Sequence, residues 1–195
     1  MKFRFIPVID GKLLDEVLHF RYRIGCMELQ ALDPDAYPDE RETDEYDPYA
    51  DHFAVLDETD TVCATVRLIH NSPVGYPTEN NFGIDPKKYT RERSAISELS
   101  RIFIDPKYRT MKDSKVIIQG LIRECIYGKL LHYGITCCYG TLEPAFAKLL
   151  NIFKIPYTLV GEGGLFYGAM RHAAIMYRSD LERLNPDLLA GSGKA

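Results

Sequence analysis

Charge sits inside stretches of this chain that otherwise read as buried strand. Arg67 follows Cys63, Ala64, Thr65 and Val66 and precedes Leu68 and Ile69, in the motif TVRLI at 65–69. Glu98 and Arg101 bound the motif ELSR at 98–101, which runs on into Ile102, Phe103 and Ile104. A charged side chain is almost never fully buried unless it is paired, and an unpaired buried charge costs several kcal/mol. The sheet of this chain therefore requires partners for Arg67, Glu98 and Arg101. The nearest candidates are Asp44 and Asp47 in the motif TDEYD at 43–47. A charge network set into a sheet is a structural clamp, the wall of a polar site, or both.

The 195 residues suit a single domain spanning 1–195, and 46% apolar against 27% charged residues is ordinary soluble composition. No apolar run approaches the roughly 20 residues of a membrane span, so no integral membrane association is expected. The opening MKFRFIPVIDG does not read as a signal peptide. Five cysteines, with no C-x-x-C pair, fit a reduced, cytoplasmic protein. The net charge of −4 conceals an asymmetry. Residues 33–60 hold twelve acidic side chains against Arg41 alone, a balance that argues against nucleic acid as a partner. Residues 85–115 hold nine basic groups against five acidic ones and offer a surface to an anionic partner.

Periodicity and turn residues predict strands over 3–8, 52–56, 62–70, 96–104, 135–140, 157–160 and 173–177. Helices are expected over 12–29, 113–133 and 143–154, the last with Pro144 in its first turn. Prolines keep 30–50 irregular, 71–94 reads as loop with one short turn after Asp85-Pro86, and Gly161–Gly164 as a tight turn between the last two strands. The order β-α-β-β-β-α-β-α-β-β describes an α/β (α+β) domain with a mixed, mainly antiparallel sheet.

Several chemistries lack their signature. There is no G-x-G-x-x-G after a strand, no Walker-type loop and no G-x-S-x-G elbow. The five histidines show no ligand spacing, so no metal site and no tightly bound cofactor is expected. Cys26 lacks a motif that would make it a nucleophile. The informative unit is the junction where the strand ending at Ile104 passes through Asp105–Ser114 into the longest helix. Backbone N–H groups of a splayed strand and a helix N-terminus both favour an anion there. The segment from Arg109 to Ser114 resembles the acyl-carrier-binding turn of the GNAT N-acyltransferase superfamily, Arg/Gln-x-x-Gly-x-Gly/Ala. Arg109 matches its first position, whereas Lys112 and Ser114 replace the small residues at the fourth and sixth.

With FRYRIGCMEL at 20–29, LDPDAYPDERETDEYD at 32–47, TVRLI, ISELSRIFIDPKYR at 96–109 and LEPAFAKLLNIFKIPYTLVGEGGLFYG at 142–168, the chain resembles the acyl-homoserine-lactone (autoinducer) synthases and the N-acyl amino acid synthases. It is most similar to the acyltransferases associated with exosortase (PEP-CTERM) systems. That resemblance implies a GNAT fold with splayed central strands and a fatty acyl chain drawn from acyl carrier protein or acyl-CoA as co-substrate. It implies Glu98 as general base with Arg101 beside it, or alternatively a Glu98 that only pairs with Arg101. Arg21, Asp44, Asp47 and Arg67 would form the acceptor pocket or clamp the acidic loop that shapes it.

Ile102, Phe103, Ile104, Lys107, Arg109, Lys112, Ser114 and Lys115 would receive the phosphopantetheine arm and its acidic carrier protein. A lysine at position 112 crowds a coenzyme A pyrophosphate and suits a single phosphate. Gly25 stands where the family has phenylalanine, and this chain has no tryptophan. An amino acid or other small amine is therefore the expected acceptor rather than S-adenosylmethionine. The competing expectations are an acetyl-CoA-dependent acetyltransferase and a catalytically silent acyl-binding member of the fold.

Overall fold

The computed structural model describes residues 2–191. Seven strands form one sheet: β1 (Arg4–Pro7), β2 (Ala50–Leu56), β3 (Val62–His70), β4 (Ile96–Ile104), β5 (Cys137–Leu142), β6 (Thr158–Phe166) and β7 (Ala169–Tyr177), in the spatial order β1-β2-β3-β4-β5-β7-β6. Every neighbouring pair is antiparallel except β4 with β5. That parallel pairing covers only Ile96↔Cys137, Ser97↔Cys138 and Glu98↔Tyr139, and beyond Glu98 the two strands separate. The backbone edge of β4 past Glu98 thus borders a V-shaped opening in the middle of the sheet.

A bulge turns β4 at the same place. Thr65 pairs with Phe103 and Arg67 with Ser100, so Val66 alone opposes Arg101 and Ile102. Arg101 absorbs the extra residue with a left-handed φ of 53°, an uncommon conformation for a residue with a Cβ. The bulge shifts the alternation, so Ile102 and Ile104 pack toward one face and Phe103 toward the other.

Helices cover both faces. On one lie α3 (Met111–Leu121), which passes through a π-helical turn into α4 (Tyr127–His132), and α5 (Pro144–Ile152). Ile117, Ile118, Leu121 and Leu150 bury there against Leu68, Leu99 and Leu142. Thr110 caps α3 by accepting the Asp113 N–H. On the opposite face lie α1 (Gly11–Tyr22), also ending in a π-helical turn, the acidic segment 33–49 and α2 (Pro77–Phe82). Phe20 and Ile24 pack there on Ala54 and Leu56. Two short helices, α6 (Arg178–Leu184) and α7 (Asp187–Gly191), close the described chain.

Two sequence expectations need correction. The Gly161–Gly164 stretch is not the last turn; it is an irregularity inside β6, whose register against β7 shifts between Val160 and Gly164. The turn is Tyr167-Gly168, with φ values of 49° and 71° and Phe166 paired to Ala169, the backbone of a two-residue type I′ hairpin. Residues 71–94 also contain α2, with Pro77 in its first turn and Gly83 at φ 61° as its C-cap. Cys137 and Cys138 are both fully buried in β5.

Candidate active site

A cavity of about 420 Å³ occupies the opening between β4 and β5. The pleat divides its lining. Glu98, Thr141 and Glu143 alternate onto one face with Arg171, which lies two residues from Ala173, the partner of Thr141. Leu99, Ile118, Leu142, Phe146 and Leu149 line it from the α3 and α5 side. One arm is therefore polar and the other apolar. A small apolar void of about 20 Å³ continues inward past Leu99, Ile102 and Ile118 to Leu121 and Tyr157.

Glu98 stands where the two strands part, 1% exposed. Its Oε2 accepts the backbone N–H of Thr78, in the first turn of α2, at 2.9 Å. The Thr78 hydroxyl in turn lies 3.0 Å from that of Thr141. Burial pushes the Glu98 carboxyl up to about 7, against the opposing influence of the Thr78 N–H and the Arg67 charge. It is poised to exchange a proton near neutrality. Glu98 forms no ion pair among the described residues, so it and Arg101 act separately.

Arg101 belongs to a closed ring of three guanidiniums and three carboxylates. Arg21 reaches Glu42 at 2.5 Å and Asp47 at 2.9 Å. Arg67 grips Asp44 at 2.5 and 2.9 Å and Asp47 at 2.6 Å. Arg101 reaches Glu42 at 2.8 Å and Asp44 at 2.9 Å. Each cation bridges two anions and each anion two cations. Burial pushes the Glu42 carboxyl up, but Arg101 and Arg21 outweigh it and hold the group at about 2. Arg21 and Arg67 likewise overcome burial and keep Asp47 well below the usual carboxylate range. Against burial, Glu42 and Asp44 raise Arg101 further above its ordinary value. The ring is neutral and ties α1, the acidic segment, β3 and β4 together.

The expected site residues thus divide into groups. Glu98, Arg101, Ile102, Phe103, Ile104, Arg109 and Ser114 line the cavity. Arg21, Asp44, Asp47 and Arg67 lie behind it, with their charges directed at one another. Lys107, in the β4–α3 connection, and Lys112 and Lys115, in the first turns of α3, are exposed. Arg109 binds the Ile104 carbonyl at 2.9 Å and pairs with Glu28. Glu42, fully buried, was missed in the sequence because nothing separates it from the exposed Glu40 and Glu45 of the same acidic run. Tyr167 and Arg171, on the β6–β7 hairpin, were missed as well and also line the cavity. The Tyr167 ring lies 5.8 Å from the Arg101 guanidinium and 5.6 Å from that of Arg171.

Residues 20–119, slightly more than half of the chain, match the family described as Acetyltransferase (GNAT) domain. The chain belongs to the GNAT acyltransferase family. No curated protein matches it. Among solved structures, TofI, in a ternary complex with an inhibitor and MTA, superposes with a TM-score of 0.71 at 18% identity, covering 96% of this chain and 100% of that one. The CoA-dependent acyl-homoserine lactone synthase BjaI, with SAM and isopentyl-CoA, gives 0.67 at 20% identity, covering 96% and 89%. FeeM, an N-acyl amino acid synthase from uncultured soil microbes, gives 0.68 at 12% identity, covering 94% of each chain. At these identities the likeness is one of fold. The splayed central strands and mixed sheet of this GNAT member agree with the expectation from its sequence. No helix among the described residues is long and apolar enough to cross a membrane.

Proposed function

We propose that the chain is an N-acyltransferase that moves a fatty acyl group from an acyl carrier protein or acyl-CoA thioester to the amine of an amino acid or similar small molecule. One observation carries this reading: a buried carboxylate titrating near 7 stands where the polar and apolar arms of a single cavity meet. The apolar arm, walled by Leu99, Ile118, Phe146 and Leu149, suits an alkyl chain. An acetyl group would leave that arm unfilled. The titration of Glu98 favours chemistry over a silent binding role.

In the proposed reaction the thioester carbonyl lies along β4 beyond Glu98, where backbone N–H groups at the open edge polarise it. Such donors are worth about 10²–10³ in rate. Glu98 takes a proton from the acceptor ammonium, directly or through a water. The free amine attacks the carbonyl carbon, a C–N bond forms, the C–S bond breaks, and the thiol leaves with the second amine proton. The salt-bridged ring keeps the acidic segment seated so that the acceptor enters a defined site. Exposed Lys107, Lys112 and Lys115 would steer an acidic carrier protein toward the cleft.

Thiol release from C8–C16 acyl carrier protein and acyl-CoA donors, measured with a panel of amino acids and simple amines, tests the reading. Amine-dependent thiol release and an N-acyl amide by mass spectrometry are expected. Absence of the amide with every donor and acceptor contradicts it.

A further inference from the structure

Five charged side chains line the cavity: Glu98, Arg101, Arg109, Glu143 and Arg171. Arg101 is saturated by Glu42 and Asp44. Arg109 is occupied by Glu28 and the Ile104 carbonyl. Arg171 is not. Its Nε is buried without a hydrogen-bond partner among the described residues. Its one ion pair among the described residues, to Glu143, is 3.3 Å long, and Glu143 is 48% exposed. Good charge-assisted bonds measure about 2.7–2.9 Å, and a long, half-exposed pair holds its partners weakly.

We infer that Arg171 is the specificity-determining residue of the acceptor site and recognises a carboxylate carried by the amine that is acylated. The inference rests on the acyltransfer reading above. Arg171 shares its sheet face and its cavity with Glu98. Register places it four residues along β7 from Ile175, the strand neighbour of Tyr139, which itself pairs with Glu98. That is roughly 13 Å at the strand rise of about 3.3 Å per residue, a span for the arginine stem and a small bifunctional acceptor together. The Tyr167 ring lies 5.6 Å from the guanidinium, within cation–π range on one side of it. The planar guanidinium fork matches a carboxylate through two parallel N–H bonds. Glu143 acts as the placeholder that the acceptor displaces.

Titration calorimetry on the full chain reads this without a donor. The ligands are the protein amino acids and S-adenosylmethionine, each compared with the same amine lacking its carboxylate. At least one carboxylate-bearing compound is expected to bind, with its carboxylate-free counterpart about 10- to 100-fold weaker. Arg171→Met should erase that difference, Arg171→Lys should retain part of it, and Glu143→Gln should tighten the carboxylate-bearing ligand. Equal binding of the two members of every pair, no binding by any carboxylate-bearing compound, or full selectivity in Arg171→Met overturns the inference. Should Arg171→Met fail to fold, Glu143→Gln decides: unchanged or weaker binding of the carboxylate-bearing ligand counts against it. Loss of acyl transfer with every amine would instead overturn the proposed function, while the binding preference would be read separately.

Discussion

The Glu98 carboxylate accepts the backbone N–H of Thr78 at 2.9 Å, while Arg21, Arg67 and Arg101 direct their charges at Glu42, Asp44 and Asp47. The two halves of the charge network therefore have opposite electrostatic fates. Glu42 and Asp47 of the ring are held ionised, and the isolated carboxylate is held close to its protonation point.

That contrast predicts the pH dependence of stability. Glu98 has a folded pKa of about 7 against an ordinary 4.5. The native state therefore binds more protons than the unfolded state between those values. The contribution of Glu98 is complete below 4.5 and is lost as pH rises through 7. Glu98→Gln should gain up to roughly 3 kcal/mol relative to wild type at pH 8 compared with pH 4. Urea denaturation at the two pH values measures it, and parallel stabilities would contradict it.

Glu42 runs the other way. Its folded pKa of about 2 lies below the ordinary 4.5, so its contribution is present above 4.5 and is lost as pH falls toward 2. Glu42→Gln leaves Arg21 and Arg101 each short of one buried partner and should cost about 3–5 kcal/mol at pH 7. The exposed Glu45, three residues on, should change stability by less than about 0.5 kcal/mol when replaced by Gln. Chemical denaturation of both variants provides the comparison.

Phe103 explains the glycine at position 25. A Cβ on Gly25 would lie 3.3 Å from the tip of the Phe103 ring and 3.2 Å from Leu32. The aromatic group is supplied from β4 instead of from the turn after α1. Gly25→Phe alone should destabilise by about 1–3 kcal/mol through overpacking. Combining it with Phe103→Ala should recover part of the loss as a coupling of about 0.5–3 kcal/mol. Additive losses in the double variant would sink the explanation.

Under the proposed acyl transfer, the apolar arm sets the acyl length. Ile118 is 4% exposed and borders both the cavity and the void behind it. Ile118→Phe should close the passage and shift donor preference toward shorter chains, whereas Phe146→Ala should widen the arm and favour longer ones. Relative kcat/KM across an acyl series reads the shift, about 10-fold for roughly two methylenes by area.

Much of this was legible in the residues. Charge inside TVRLI and ELSR required buried partners; the structure supplies those of Arg67 and Arg101 from the acidic segment, whereas Glu98 takes the Thr78 N–H of α2 instead. The failures share a cause, which is that local composition does not report tertiary contacts. Glu42 looks like its exposed neighbours until α1 covers it, where its N–H binds the Leu18 carbonyl at 3.2 Å. Four residues of Gly161–Gly164 read as a turn, yet Tyr167-Gly168 forms it. Helix α2 hid in a polar loop, although Pro77 followed by Thr78 and Glu79 has the composition of a helix start. Without α2 the hydrogen bond that orients Glu98 could not be foreseen.

The proposed role of Glu98 as base is most directly tested by the pH profile of kcat/KM for acyl transfer, with wild type and Glu98→Gln compared. Wild-type activity should rise with pH through an apparent pKa of about 7, as the carboxylate loses its proton. The variant should be about 10²–10⁴-fold slower and lack that inflection. A variant that keeps the wild-type rate, or the same inflection, would show that the proton leaves by another route.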